Sequence, residues 1–432
     1  MRQDTEQLYE AVLRCSKCGF CQANCPVYKE LLEEAGCARG RIRLFRAVLE
    51  GEQGLSDSYV KKLDRCAGCM ACTAACPSGI EPLRMILAAR AYTVANKGLP
   101  RLKSLALRNV LSSETVHGLA FATASYAQRL GLTHLAPGRL VPPGIDLSHF
   151  PVAAKPFRSQ VPDIVAPEKR QERVAFFVGC MIDHSLPDVG HATVRVLNRL
   201  GVEVIIPKDL NCCGVPLIFS GDLETAASLA EHNLRTLSQL PVDHIVTSCA
   251  SCGNGLKNEY RQLFKGTPLD GMADTVAEKS VDISVFLASR IDPGLLGRVR
   301  LKATYHDPCH LMRGQGVSVE PRQLITAVPG VEFEEMSEAD RCCGAGGTFQ
   351  VFFSDLAWRI TQRKLENIKA TGAQTVITAC PACLQRLQGG LRQLGMPQST
   401  MHVVELVDQA LAGGEAARKD RKRGEGALIG RE

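Results

Sequence analysis

Ten cysteines in the second half of the chain fall into two near-copies of one pattern. The first is Cys180, then Cys212-Cys213-Gly214, then Cys249 and Cys252; the second is Cys309, then Cys342-Cys343-Gly344, then Cys380 and Cys383. The gaps before the adjacent pair are 31 and 32 residues, those after it 35 and 36, and counterparts lie 129 to 131 residues apart. Such regularity marks an internal duplication. Each copy offers five thiols, one more than a tetrahedral zinc site takes. Thiolates are soft ligands that select zinc, Cu(I) or iron–sulfur chemistry. The pattern reads as at least one unusual iron–sulfur cluster, with zinc on four of the five thiols as the alternative.

Eight further cysteines stand in two tetrads, Cys15, Cys18, Cys21, Cys25 and Cys66, Cys69, Cys72, Cys76, each followed by proline (Pro26, Pro77). Both match the bacterial ferredoxin run C-x2-C-x2-C-x3-C-P completely. In two-cluster ferredoxins the fourth cysteine of each run ligates the other cluster. The expected sets are therefore Cys15, Cys18, Cys21 and Cys76 for one [4Fe–4S] cluster, and Cys66, Cys69, Cys72 and Cys25 for the other. Of the 19 cysteines only Cys37 is left over, and it reads as a small buried residue. Arg39, Arg41 and Arg43 lie between the tetrads, either as ion-paired surface residues or as donors that tune a nearby cluster.

Specific elements must carry these cysteines. The 40 residues between the tetrads hold an apolar stripe at helical spacing, Ile42, Phe45, Val48 and Leu49, and a second helix is expected over Pro82–Asn96. Each later copy shows strand–helix–strand–helix–strand order. In the first copy the strands are Val174–Gly179, Val202–Pro207 and His244–Ser248; in the second, Ala303–Pro308, Val331–Met336 and Thr375–Ala379. Short apolar strands alternating with helices imply βαβ units and a parallel sheet. Every cysteine then falls just past the carboxyl end of a strand, the edge where open α/β sheets bind ligands. Gly214 and Gly344 are expected to let the backbone come close to a cluster. His306 and His310 flank Cys309, and His184 follows Cys180. Five thiols already suffice, so none of the three is assigned as a ligand.

The fold class is α+β multidomain: a helical two-cluster ferredoxin domain followed by two duplicated α/β domains with parallel sheets. The expected boundaries are 1–100 for the ferredoxin domain, 101–170 for a helical and Pro-rich connector, 171–298 and 299–412 for the two copies, and 413–432 for a charged, disordered tail. Residues 101–135 read as helix, and seven prolines crowd 137–167. With 45% hydrophobic and 22% charged residues in 432, the chain has enough apolar material for a core, so its cysteines need not staple it. No secretory segment opens it and no apolar run spans a bilayer, which points to the cytoplasm, where clustered cysteines are metal ligands or catalytic. The net charge of +6 is mild and aromatics are scarce, so nucleic acid is not an expected partner. The basic run Arg418–Arg423 reads as a solvated tail, with contact to an anionic membrane face as the alternative.

The double cysteine run, Arg39-Gly40-Arg41-Ile42, Cys76-Pro77-Ser78-Gly79 and the two Cys-Cys-Gly copies together resemble the iron–sulfur subunit of glycolate oxidase, over roughly residues 10–410. Related subunits of lactate and anaerobic glycerol-3-phosphate dehydrogenases share the architecture, as does the catalytic subunit of membrane-type heterodisulfide reductase. The resemblance implies an electron-transfer subunit. A partner flavoprotein carrying FAD would oxidise a 2-hydroxyacid such as glycolate or lactate, and electrons would leave to a quinone or other carrier, peripherally at the inner face of the membrane. Two [4Fe–4S] clusters are implied, with one or two further clusters, noncubane in the reductases, or zinc in the copies. No flavin signature occurs on this chain, and no catalytic residue is assigned. Some glycolate oxidase subunits have lost cysteines from the copies; this chain keeps all ten, which leaves disulfide-reducing chemistry as the second implied function.

Overall fold

The computed structural model describes residues 5–110, 123 and 152–429. The rest of the helix expected over 101–135 and the prolines of 137–151 lie outside the described residues.

The N-terminal part is helical. Helices Thr5–Leu13, Ala38–Leu49, Asp57–Asp64 and Pro82–Lys97 close a small core of Leu8, Val12, Ile42, Phe45, Tyr59, Leu63 and Ala89. Ile42 and Phe45 of the anticipated stripe point into it. Short helices Phe20–Ala23 and Ala71–Ala74 lie within the two cysteine runs, and Pro26–Leu31 follows the first. Pro26 takes the first helical position, where its missing N–H costs nothing.

The two copies each build a mainly parallel sheet. In the first, β1 (Ile164–Val165), β2 (Glu172–Phe176), β3 (Val202–Ile205), β4 (His244–Thr247) and β5 (Ser280–Asp282) lie in the order β1-β3-β2-β4-β5. In the second, β6 (Leu301–His306), β7 (Val331–Phe333), β8 (Thr375–Thr378) and β9 (Ser399–His402) lie in the order β7-β6-β8-β9. All neighbours are parallel except β1, which runs antiparallel to β3. The strands stop short of the cysteines, because the chain leaves the ladder in order to turn the thiols over the sheet edge.

Three features differ from expectation. Each sheet has a further strand, β5 or β9, too short and polar for its pattern to announce itself. Residues 157–165 are built into the first copy: Phe157 is fully buried edge-on against Phe176, and β1 extends the sheet. The last helix, Val403–Ile429, runs on through the charged stretch beyond residue 412, which is rich in the strong helix formers Ala, Glu, Lys and Arg.

The copies exchange helices. Pro187–Arg199 of the first packs on Val403–Ile429 of the second, and Val319–Ala327 of the second packs on Ile283–Ala288 of the first. Likewise Ala250–Asn254 meets Cys309–Gln315, and Cys180–His184 meets Pro381–Gln393. This reciprocity is the contact pattern of an approximate two-fold axis. One continuous apolar core runs through both copies. Asp408 receives Arg195 at 2.6 Å and is also paired with Arg199, fastening one of the exchanged helices. The N-terminal part docks on both: Arg90 donates to the carbonyl of Phe219 at 2.6 Å, and Ala67, Cys69 and Ala71 share a cluster with Cys342, Phe349 and Leu356.

Candidate metal centres

The eight N-terminal cysteines line two cavities. One is bounded by Cys15, Cys18, Cys21 and Cys76; the other by Cys25, Cys66, Cys69 and Cys72. Ala38 belongs to both walls. Each cavity thus draws three thiols from one run and the fourth from the other. Burial pushes the Cys25 thiol up to about 11, and pushes Cys72 up as well.

The three arginines divide between the two expected roles. Arg39 borders the first cavity while ion-paired to Glu34 at 2.7 Å. Arg41 borders the second; it is 1% exposed, donates from Nε to the Lys62 carbonyl at 2.9 Å, and its Nη2 has no protein partner. A buried, unpaired guanidinium nitrogen at a thiol-lined cavity fits an anionic occupant. Arg43 points outward to Glu50 and Glu52. Cys37 is fully buried beside Cys21, with its own thiol directed at the Glu34 carbonyl at 3.2 Å.

The structure also brings the five thiols of each copy together. Cys180 lies against Cys212, near Cys213 and Cys249, while Cys252 touches Cys213 and Cys249. In the second copy Cys342 lies against Cys309, near Cys343, and Cys383 touches Cys343 and Cys380. Thiol contact and burial drive most of these pKa values well up, Cys180 and Cys342 among them. Cys343 and Cys380 go the other way, each held low first by a neighbouring thiol, Cys383 and Cys249 respectively. Five crowded thiols, four of them buried, cannot all ionise against one another. A cationic centre removes that repulsion, so the donor set fits a thiolate-bound metal.

Contacts between the groups set their order in space. Cys69 lies against Cys342, joining the second cavity to the second copy. Cys380 lies against Cys249, joining the second copy to the first. With Cys72 in electrostatic reach of Cys21, the four groups form a row in which the second copy comes before the first.

Gly214 and Gly344 have positive φ, +72° and +89°. A Cβ on Gly344 would stand 2.6 Å from the Ala357 carbonyl oxygen, and the atoms nearest one on Gly214 belong to Ala226. These glycines serve a left-handed turn packed against a helix. Of the histidines, His310 Nε2 reaches the Gly68 carbonyl at 3.3 Å, tying the second copy to the Cys66–Cys69 loop. His306 is different: one of its ring nitrogens and the sulfurs of Cys343 and Cys383 all lie within 4.8 Å of one another. Sequence reasoning left it out. Setting the two copies side by side would have flagged it, because its counterpart is Phe177.

A model described as a 4Fe-4S dicluster domain matches residues 11–80, and one described as a cysteine-rich domain matches twice, over 174–257 and 303–388. A probable glycolate oxidase iron–sulfur subunit of Bacillus subtilis is 31% identical over 428 residues, covering 93% of both chains. This chain belongs to that iron–sulfur subunit family. One subunit of a fumarate reductase (CoM/CoB) from Methanothermobacter marburgensis is 32% identical, over 94% of this chain and 73% of its own length. Lactate utilization protein A of an Exiguobacterium strain is 33% identical over 55% of this chain and 98% of its own. The family assignment makes the chain an iron–sulfur protein. No helix among the described residues is long and apolar enough to cross a membrane.

Proposed function

We propose that this chain is the electron-transfer subunit of a 2-hydroxyacid dehydrogenase complex, working between a partner flavoprotein that oxidises glycolate or lactate with FAD and a quinone or other carrier. The observation that carries the reading is the unbroken row of four thiol groups, joined through Cys69–Cys342 and Cys380–Cys249. Cys15, Cys18, Cys21 and Cys76 would hold one [4Fe–4S] cluster, and Cys25, Cys66, Cys69 and Cys72 the other. Cys180, Cys212, Cys213, Cys249 and Cys252, and Cys309, Cys342, Cys343, Cys380 and Cys383, would hold the further centres, iron–sulfur or zinc. Bound iron–sulfur clusters supply one-electron redox chemistry. The chain's own residues fix the spacing, exclude water and set the local charge. Cys18 and Phe20 are exposed beside the first cavity, which makes that end the side a flavoprotein reaches. The location that goes with this role is the cytoplasm, peripheral to the membrane.

A disulfide-reducing enzyme is the second reading, favoured by the retention of all ten cysteines in the copies. Burial weighs against it: Cys212, Cys213, Cys249, Cys252, Cys342, Cys343, Cys380 and Cys383 are buried, and only Cys180 and Cys309 among the ten are partly exposed.

Anaerobic affinity purification from the native host, followed by visible spectroscopy on adding glycolate or either lactate, separates the two. Co-purification of a flavoprotein, with flavin and then iron–sulfur bands bleached by one substrate, supports electron transfer. Absence of a flavoprotein, together with disulfide reduction by the chain alone from a viologen donor, overturns it.

A further inference from the structure

The two copies share their strands, their five thiols and their helix exchange, yet they differ at one position aimed at the thiols. Three residues before the first cysteine the first copy has Phe177 and the second has His306. Both are buried: Phe177 fully, His306 at 1% exposure. In the second copy a His306 ring nitrogen, Cys343 Sγ and Cys383 Sγ lie within 4.8 Å of one another, all three residues buried.

The hydrogen bonding of the ring decides which nitrogen is free. Nδ1 lies 3.2 Å from the Ala339 carbonyl oxygen. A carbonyl only accepts, so Nδ1 carries the proton, and in the neutral ring Nε2 is left with its lone pair. Nε2 is buried and makes no hydrogen bond of normal geometry, and the ring lies in interaction reach of the Cys343 thiol. A ring held by Nδ1–H to a backbone carbonyl, with Nε2 unprotonated and the Cys343 and Cys383 sulfurs close to the ring, fits the arrangement of a metal-bound histidine, whose second nitrogen is oriented by just such a partner. Histidine next to thiolate is an established pairing both in zinc sites and in iron–sulfur centres with raised potential.

We propose that His306 Nε2 is a metal ligand, so that the second copy holds a mixed nitrogen–sulfur centre with Cys343 and Cys383 while the first is bound by sulfur alone. The proposal rests on the reading that the second copy holds a metal. The two centres are then chemically distinct although their cysteine patterns agree. The nitrogen-bound centre sits between the N-terminal cavities and the first copy, in contact with both through Cys342 and Cys380.

The test uses the full chain, isolated anaerobically with its metals and labelled with ¹⁵N-histidine. Iron and zinc per chain are counted first. If replacing all five thiols of the second copy by alanine leaves the count unchanged, the second copy holds no metal and the underlying reading fails. With metal present, pulsed EPR of the paramagnetic state, or zinc-edge X-ray absorption if the metal is zinc, reads the nitrogen shell. Two variants are compared. His306→Phe copies the first copy's residue. His306→Asn keeps a donor for the Ala339 carbonyl and removes only the Nε2 position. A directly bound histidine nitrogen in the wild type, lost in His306→Asn and kept in His310→Asn and His402→Asn, is the expected result. Its absence from the wild type, or its survival in His306→Asn, overturns the proposal.

Discussion

Cys249 and Cys380, counterparts in the two copies, meet thiol against thiol where the ends of β4 and β8 face each other. Both are buried, at 5% and 2% exposure, so no water layer separates the two groups. The duplicated sites are therefore adjacent parts of one buried thiol region.

Adjacency predicts unequal reach for cysteine substitutions. Cys380→Ala removes a group that touches both copies, and is expected to change the EPR signals of both. Cys252→Ala, whose thiol neighbours all lie in the first copy, should alter only one. Spin quantitation with iron per chain decides between these outcomes.

Arg41 is the one basic side chain among the residues lining the second N-terminal cavity. Its positive charge favours the more reduced, more negative state of any centre held there. Arg41→Met should therefore lower the midpoint potential of that centre, leaving the other N-terminal centre nearly unmoved in an EPR-monitored redox titration. The orphaned Lys62 carbonyl should add a loss of about 1–3 kcal/mol in stability.

Two glycines of the second copy should respond differently to alanine. Gly344 and Gly347 both have positive φ, but an added Cβ meets the Ala357 carbonyl oxygen at 2.6 Å in one case and nothing within 4 Å in the other. Gly347→Ala should cost about 1–2 kcal/mol, the left-handed strain alone. Gly344→Ala adds steric overlap and should cost roughly 1–3 kcal/mol more. Chemical unfolding of the two variants measures the gap.

Glu338 predicts an acid-sensitive seam. It accepts from Arg363 at 2.8 Å, pairs with Arg341 at 3.3 Å, and reaches Lys29 of the N-terminal part at 3.9 Å. Arg363 foremost holds its carboxyl at about 2, below the usual 4.5. A depressed carboxylate stabilises the fold above its unfolded value and loses that contribution as pH falls toward the folded one. Glu338→Gln should thus be less stable than the wild type by a constant amount above about pH 5, and the difference should close between about pH 4.5 and 2. Water screens the half-buried pair, so about 1 kcal/mol is the ceiling. Unfolding curves for both proteins across this range test it.

Much of the architecture could be read from spacing. Cys180, Cys212-Cys213 and Cys249 each follow an apolar run by a few residues, and that alone placed them over a sheet edge. The tetrads carried the crossed sets that line the two cavities. What stayed hidden depends on contacts between segments far apart in sequence. Nothing local announces that Cys69 meets Cys342, or that helix Val403–Ile429 packs on the first copy. β5 and β9 escaped notice because Ser280–Asp282 and Ser399–His402 are polar and pair only at a sheet edge. His306 was passed over on a count of ligands, when the informative comparison was with Phe177.

The reciprocal helix exchange is what two identical subunits would make around a symmetry axis. In an assembly of separate identical chains, any change on one side is imposed on the other. Joining the halves in a single polypeptide lifts that constraint. It lets one side carry Phe177 and the other His306, and lets the N-terminal part dock Cys69 against the second half alone. The covalent link thus gives a symmetric frame a built-in direction.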